Sequence, residues 1–220
     1  MSFIINPYTF ASASSTTLLS EDFEPTGATG WTTNSGYSPW DDQYMTPPLA
    51  PIQGTRSGAF LSIGSYHAYK NFTATGSCYV RFRFYWNSPG SAGTGVLCTL
   101  RDASGNILMT IGLVTGTNAF RVSLGSGGAS NTSTPPTVGT HLYGWMEFVK
   151  GAGNAIGRVG WTTTPARPSW PSSGNTGPLI VINNGTANAD ASRILFGRAE
   201  APINWRFVFD EIEVRSTPFP

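Results

Sequence analysis

The sequence predicts an all-β protein made of two antiparallel sheets packed as a sandwich. Three observations support this prediction. Charged residues make up only 11% of the 220 residues, 26 glycines and 16 prolines interrupt the chain, and the segments between them alternate apolar and polar residues. Glycine or proline inside an α-helix costs about 1 to 3 kcal/mol, whereas a period of two is typical of a half-buried strand. We therefore expect ten or more strands and no helix.

The first 20 residues are expected to form an extended arm. The apolar residues 3–5 are followed at once by Asn6-Pro7, and no basic residue precedes them, so the pattern does not indicate a cleavable secretory signal. The interpretation is a docking arm at 1–20, a sandwich domain at 21–216 and a C-terminal tail at 217–220.

The clearest strand covers residues 77–86 (SCYVRFRFYW). Every second residue from Cys78 onward is apolar and belongs to one face of the strand. The opposite face carries Tyr79, Arg81, Arg83 and Tyr85.

Turn residues separate the other expected strands. Asp102-Ala103-Ser104-Gly105 predicts a hairpin turn. The last strand changes phase between Phe209 and Ile212, which predicts a bulge near Asp210-Glu211 that keeps both apolar sets inward. Further strands are expected at 59–63, 96–101, 106–114, 119–124, 142–149, 156–162, 179–182, 193–196 and 205–214, with surface loops at 125–139 and 163–178.

Charge, hydropathy and cysteine content exclude several classes of protein. A net charge of +1 without a basic cluster does not suit a nucleic-acid partner. No apolar stretch approaches the roughly 20 residues that a membrane-spanning helix needs, so membrane insertion is not expected. Cys78 and Cys98 are interpreted as buried free thiols of a protein folded in a reducing cytoplasm. A single disulfide stays open as the alternative if their strands are neighbours.

Five segments follow one another in an order found in a known fold family. They are SEDFE at 20–24, SGAFLSI at 57–63, YVRFRFYW at 79–86, HLYGWMEFV at 141–149 and FDEIEV at 209–214. Their order resembles that of the concanavalin A-like, laminin G-like jelly rolls, over about residues 20–216. The resemblance implies an antiparallel two-sheet jelly-roll β-sandwich whose concave face and rim loops bind glycans.

The same resemblance implies a structural calcium. The candidate carboxylate ligands are Glu24 and Asp210, and hard oxygen ligands suit this ion. The alternative is that both carboxylates cap turns or pair with arginines. No other cofactor is expected.

The N-terminus carries a second resemblance. Residues 1–8 (MSFIINPY), followed by a Ser/Thr tract, look like the starts of tailed-phage virion proteins in which an arm precedes a lectin-like domain. The resemblance implies a structural protein of the virion, assembled in the host cytoplasm, as an exposed capsid decoration or a tail component. Its expected partners are other virion proteins through the arm, further copies of the chain, and surface glycans.

Two groups of residues are candidates for glycan binding. The first is the outer face Tyr79, Arg81, Arg83 and Tyr85, because arginine forks beside aromatic rings suit the carboxylates or sulfates of acidic sugars. The alternative is a face covered by a loop or a neighbouring subunit. The second group combines loop aromatics with two carboxylates: Trp31, Tyr37, Trp40, Asp41, Asp42 and Tyr44. These rings could instead pin loops onto the sandwich or fill a subunit contact.

A catalytic site is not expected. The sequence has neither a Gly-x-Ser-x-Gly elbow nor a His-Glu-x-x-His pair. Glu211 and Glu213 have a spacing of about 6.5 to 7 Å if they share a strand face, which a hydrolase could use. The alternative function is therefore a hydrolase, or a polysaccharide lyase that uses Arg81 and Arg83. Lyases of this fold also use a His and a Tyr, a pair that the sequence does not place. The sequence also leaves open a secreted carbohydrate-binding module and an architectural clamp without a ligand.

Overall fold

The alternating segments form the strands of two antiparallel sheets. The structure is a computed structural model that describes residues 16–24, 30–33, 52, 57–60, 67–88, 94–114, 117–125, 127–197 and 206–220. Within these ranges it contains strands and no helix, which confirms the all-β prediction. The two sheets pack as the predicted β-sandwich.

The strands are numbered along the chain. Their bounds are β1 Thr17–Glu21, β2 Thr32–Thr33, β3 Gly58–Phe60, β4 His67–Thr75, β5 Ser77–Ser88, β6 Thr94–Arg101, β7 Ile107–Val114, β8 Phe120–Leu124, β9 Gly127–Asn131, β10 Leu142–Val149, β11 Gly151–Thr162, β12 Gly174–Thr176, β13 Leu179–Ala187, β14 Ala191–Gly197 and β15 Arg206–Arg215. Sheet A has the order β1-β15-β5-β10-β11-β13-β12, with β3 also paired to β15. Sheet B has the order β2-β4-β14-β6-β7-β8-β9.

Phenylalanine rings from both sheets meet in the core. Phe84 of β5 stacks on Phe207 of β15 in the same sheet, with ring centroids 5.4 Å apart, and contacts Phe120 of sheet B at 5.6 Å. Phe196 of sheet B contacts Phe209 at 4.6 Å and Phe82 at 5.4 Å. These rings are almost fully buried, so they join the two sheets into one apolar core.

The predicted bulge lies in β15. The pairing of β15 with β5 shifts register between Asp210 and Glu213, and Glu211 has a φ of +47°. An extra residue on one strand reverses the alternation of side chains beyond it. As a result Phe209 before the bulge and Ile212 after it both point into the core and are fully buried.

Several strands lie where the sequence pattern predicts none. The segments predicted as loops at 125–139 and 163–178 contain β9 and β12, which correct that prediction. Both are edge strands that pair through backbone hydrogen bonds, and their small or polar residues are mostly exposed. Without buried side chains such strands leave no alternating pattern. β4 escaped prediction for a similar reason, because much of its sequence, HAYKNFTAT, is polar.

The first and last strands of the sandwich, β1 and β15, pair with each other. β1 pairs with β15 through Leu19↔Val214 and Ser20↔Glu213, so the first strand begins at Thr17, inside the segment predicted as the arm. Residues 1–15 of that arm lie outside the described residues. None of the described residues forms a helix long and apolar enough to cross a bilayer.

The two cysteines are buried in the core. Cys78 belongs to β5 in sheet A and Cys98 to β6 in sheet B, and both are free thiols, as predicted. Burial raises the pKa of both thiols well above the ordinary value, because a thiolate would lose its hydration there.

Candidate functional site

The outer face of sheet A carries most of the candidate residues, in two parts. Strand register places Arg81 between Glu213 and Trp145, and Arg83 between Asp210 and Tyr143. The first part, which we call the sealed half, consists of Tyr79, Arg81, Trp145, Glu147, Arg158, Glu213 and Arg215. The second part, which we call the open corner, consists of Arg83, Tyr85, His141, Tyr143 and Glu211.

A buried carboxylate organises the sealed half. Glu147 is only 1% exposed and accepts hydrogen bonds from three side chains. Arg167 donates from Nε at 2.6 Å and Nη2 at 3.0 Å, Arg158 from Nη1 at 2.9 Å, and Trp170 from its indole at 2.7 Å. Hydrogen bonding to Glu147 raises the pKa of Arg167. Since Arg167 and Trp170 lie in the segment between β11 and β12, these bonds fix that segment over the sheet.

The C-terminal tail covers the rest of the sealed half. Phe219 is 5% exposed and meets the ring of Trp145 edge to face, with centroids 5.5 Å apart. The guanidinium groups of Arg81 and Arg215 lie 5.1 and 4.8 Å from the Phe219 ring centroid. Both arginines also bind Glu213, at 3.0 and 2.6 Å. The C-terminal tail therefore lies over Tyr79 and Arg81, while glycan binding by these two residues stays a prediction.

The open corner lacks such a cover among the described residues. The ring centroids of Tyr85 and His141 are 5.2 Å apart, and the Arg83 guanidinium lies 5.7 Å from the Tyr143 ring centroid. Arg83 and Glu211 form a long ion pair at 3.6 Å, with side chains 24% and 27% exposed. Three aromatic rings and one guanidinium therefore lie side by side at the surface.

Its surroundings lower the pKa of His141 below the ordinary value of a histidine. Partial burial lowers its pKa first, and the positive charge of Arg83 lowers it further. The uncharged imidazole offers one donor and one acceptor.

Sequence reasoning missed His141 and Tyr143 as members of this site. They reach it because β10 pairs with β5, with Tyr143 opposite Arg83. The signal that could have found them is the alternation of residues 141–149, which puts His141, Tyr143 and Trp145 on one face. The register between β5 and β10 is needed to place them beside Arg83.

Trp31 lies in a different corner of the sandwich. Its indole donates to Glu21 at 3.0 Å, and its ring contacts Phe23 and Phe196 at 6.3 and 6.0 Å. Glu21 also binds Lys70 at 3.0 Å. These contacts match the alternative in which the ring pins a loop to the sandwich. The other loop candidates, Tyr37, Trp40, Asp41, Asp42 and Tyr44, lie outside the described residues.

Both candidate calcium ligands make hydrogen bonds, Asp210 through its carboxylate and Glu24 through its backbone amide. Asp210 is 1% exposed and accepts hydrogen bonds from Ser57 Oγ at 2.7 Å and from the Glu211 amide at 2.8 Å. The Glu24 amide donates to Asp22 at 3.1 Å. Nowhere in the described ranges do three or more His, Cys, Asp or Glu side chains gather as metal ligands. Calcium binding at Glu24 and Asp210 stays a prediction.

A groove of about 510 Å³ opens where the edge strands of the two sheets meet. Hydrogen bonds join its two sides nearby, from Asn175 Nδ2 to the Asn131 carbonyl at 2.8 Å and from Ser133 Oγ to the Gly177 carbonyl at 3.2 Å. Its lining carries no charge and consists of Gly128, Ala129, Ser130, Ser173, Gly174, Val181, Ile182, Asn183 and Asn184. We call it the edge groove.

Comparison with known proteins gives likeness in structure only. Neither protein-family models nor curated proteins match the sequence. Among solved structures, Trypanosoma rangeli sialidase in complex with 2,3-difluoro-KDN superposes with a TM-score of 0.52 and 11% identity over 76% of this chain. This chain covers only 26% of that sialidase chain.

Two further structures match over nearly their whole length. The cellulose induced protein Cip1 has a TM-score of 0.50 and 13% identity, covering 90% of this chain and 97% of Cip1. The CBM2 module of the evolved Dit of Lactobacillus casei BL23 phage J-1 has a TM-score of 0.50 and 12% identity, covering 93% of this chain and 97% of the module. At these identities the likeness shows a shared β-sandwich fold.

Proposed function

We propose that this chain is a glycan-binding protein of a tailed-phage particle, built on a concanavalin A-like jelly roll, and that it binds without catalysing a reaction. The observation that carries the proposal is the open corner, where Tyr85, Tyr143 and His141 lie beside Arg83 on a surface that no described segment covers. The likeness to a CBM2 module of a phage Dit supports the same proposal over 93% of the chain.

The chemistry of the open corner suits a sugar. Aromatic rings pack against the CH faces of pyranose rings, and neutral imidazole and phenol groups exchange hydrogen bonds with hydroxyls. The Arg83 fork adds affinity for a carboxylate or sulfate substituent. We therefore expect an acidic oligosaccharide to bind more tightly than a neutral one of equal length.

Titration calorimetry with glycans chosen from an array tests this proposal. Tyr85→Ala is expected to weaken binding about tenfold or more, because loss of a stacking ring removes most of the apolar contact. Asn188→Ala on the exposed turn after β13 is the control and should bind as the unchanged protein does. If Asn184→Ala, in the edge groove, weakened binding as much as is expected for Tyr85→Ala, the glycan would be assigned to that groove instead.

The particle assignment has its own test. In the proposal the chain is an exposed capsid decoration or a tail component, held by the residues that precede β1 and by further copies of itself. Immunogold labelling of purified phage particles should decorate one part of the particle at regular sites. Purified particles that bind no label and contain no copy of the chain would contradict the virion role. Glycan binding would then be judged by calorimetry alone.

A polysaccharide lyase is the second candidate, because such enzymes use a His and a Tyr, and His141 lies close to Tyr85 in the open corner. His141 and Tyr85 lie 5.2 Å apart between ring centroids, near Arg83. In that reaction Arg83 neutralises a uronate carboxylate and the neutral imidazole of His141 removes the proton from the carbon next to it. A carbon–carbon double bond then forms as the glycosidic C–O bond breaks, and the Tyr85 phenol donates a proton to the departing oxygen. Formation of unsaturated uronate from acidic polysaccharides, detected by ultraviolet absorbance and abolished by His141→Gln, would favour the lyase. Absence of product would favour binding.

A further inference from the structure

The outer face of sheet B carries a pair of arginines that lies apart from the open corner. Arg193 of β14 and Arg101 of β6 are directly opposite each other in the sheet. Ile194, which follows Arg193, and Leu100, which precedes Arg101, are fully buried in the core. Since successive side chains of a strand alternate between its faces, both arginines point away from the core. Two positive side chains thus lie at the same end of this face, beside the turn between β6 and β7.

Arg193 is held in one orientation by two contacts from β4. Its guanidinium carbon lies 4.5 Å from the centroid of the Tyr69 ring, which is itself nearly parallel to the ring of His67 at 6.4 Å. Its Nε donates to Asn71 Oδ1 at 2.8 Å. A cation over an aromatic face and a bond to Nε together restrict the rotamers of a long side chain.

The turn between β6 and β7 lies next to the fork. Gly105 has a φ of +88°, and a Cβ built on it would lie 3.8 Å from Arg193 Nη1. Arg101 donates from Nη1 to the Gly105 carbonyl at 3.1 Å, which fixes the turn next to Arg193. Within the described part of the chain, Nη1 and Nη2 of Arg193 donate no hydrogen bond, so both are available to a ligand.

These contacts define what the site can bind. Two parallel N–H groups of an arginine fork match the two oxygens of a carboxylate or a sulfate. Because Tyr69 and Asn71 fix the fork before any ligand arrives, little side-chain freedom is lost on binding. The positive charge of Arg101 on the neighbouring strand adds to the attraction of an anion. The amide of Asn71, which is exposed, and the Tyr69 phenol lie beside the fork as neutral partners for hydroxyl groups.

We propose that the Arg193 fork binds the carboxylate or sulfate group of an acidic oligosaccharide, as a site separate from the open corner. The neutral partners beside the fork favour a sugar over an acidic peptide, which offers no comparable density of hydroxyls. This site does not depend on the proposed function of the open corner, since the two lie on opposite sheets.

Calorimetric titration of the full chain with four probes tests this inference. The probes are a uronic acid oligosaccharide, a sulfated neutral oligosaccharide, an unmodified neutral oligosaccharide and polyglutamate. A Tyr85→Ala background, in which the open corner is weakened, separates failure at one site from failure at the other. We expect one or both acidic sugars to bind in that background. Comparing the uronic acid oligosaccharide with the sulfated one shows whether the site prefers a carboxylate or a sulfate.

Substitutions then locate the site. Arg193→Gln is expected to weaken the acidic sugar at least about tenfold, and Arg193→Lys nearly as much, because lysine lacks the fork. Arg121→Gln is the matched control, since Arg121 is an exposed arginine on the same face, on β8. Equal losses in the Arg193 and Arg121 variants would overturn the site in favour of diffuse charge, and equal binding of polyglutamate would overturn the sugar assignment.

A measurement on the unsubstituted side chain guards against variants that fail to fold. The Nε–Hε resonance of Arg193 should shift on titration with the acidic sugar while that of Arg121 stays in place. An unchanged Arg193 resonance at saturating sugar would overturn the proposal.

Discussion

The two parts of the outer face of sheet A use similar side chains for different purposes. In the sealed half, Glu147 takes hydrogen bonds from two arginines and an indole, and is 1% exposed. In the open corner, Glu211 meets one arginine at 3.6 Å and is 27% exposed. Arginine and tyrosine on a strand face therefore do not by themselves mark a binding site. What differs between the two parts is whether a described segment of the chain lies over them.

The covering segments explain the difference. The sealed half lies beneath the segment between β11 and β12 and beneath the C-terminal tail, which contribute Arg167, Trp170 and Phe219. No described segment does the same for the open corner. We therefore assign stability to the first part and recognition to the second, and four measurements can break or sharpen this division.

The largest effect is expected at Glu147. Glu147→Gln removes the charge that two arginines share, and loss of one member of a buried ion pair costs about 3 to 5 kcal/mol in the free energy of unfolding. Glu211→Gln in the open corner is the matched control and should cost about 0 to 1 kcal/mol. Urea unfolding of both variants measures the difference, and similar costs for the two would remove the distinction between the two parts.

The second effect is expected at Phe219. Phe219→Ala uncovers Trp145 and the stems of two arginines, and we expect a loss of about 2 to 4 kcal/mol in the free energy of unfolding. Tryptophan fluorescence quenching should rise at the same time, since Trp145 becomes accessible to the quencher. A variant with unchanged stability and unchanged quenching would mean that the tail does not seal this half.

The third effect concerns Tyr85. Tyr85→Ala removes a half-buried ring at the edge of the face, so the free energy of unfolding should fall by only about 1 kcal/mol. The free energy of glycan binding should weaken by more than the free energy of unfolding does. If thermal unfolding shows a loss comparable to that of Glu147→Gln, Tyr85 belongs to the structural part of the face.

The smallest effect is the pH dependence of His141. Because its pKa is lowered in the folded state, the unfolded chain binds more protons as the pH falls through its unfolded value of about 6.5. The stability contributed by the neutral imidazole is fully present above that pH and is lost as the pH falls through the folded pKa. Compared with His141→Gln, the unchanged protein should lose more stability between pH 7 and pH 5, as measured by urea unfolding at each pH. A difference in the free energy of unfolding between the two proteins that stays constant over this pH range would contradict the lowered pKa.

Local pattern predicted the strands that bury side chains. The two faces of β5 and the bulge in β15 follow from alternation alone, because a period of two is visible in the sequence itself. Edge strands β9 and β12 could not be predicted this way, since backbone pairing holds them and their exposed residues follow no pattern.

The candidate site was predictable only in part. Arg83 and Tyr85 were predicted from their own strand. His141 and Tyr143 depend on the register between β5 and β10, and the cover over Arg81 depends on a tail that folds back over the sheet. Both are long-range contacts, which the spacing of residues within one strand does not report.

The most direct test of the central claim is a map of backbone amide shifts on titration with the best-binding glycan. We predict the largest shifts at residues 83–85, 141–143 and 211, with the amides of Tyr79, Glu147 and Arg158 nearly unchanged. Shifts confined to the sealed half, or to residues 128–130, 173–174 and 181–184 of the edge groove, would contradict the assignment of recognition to the open corner.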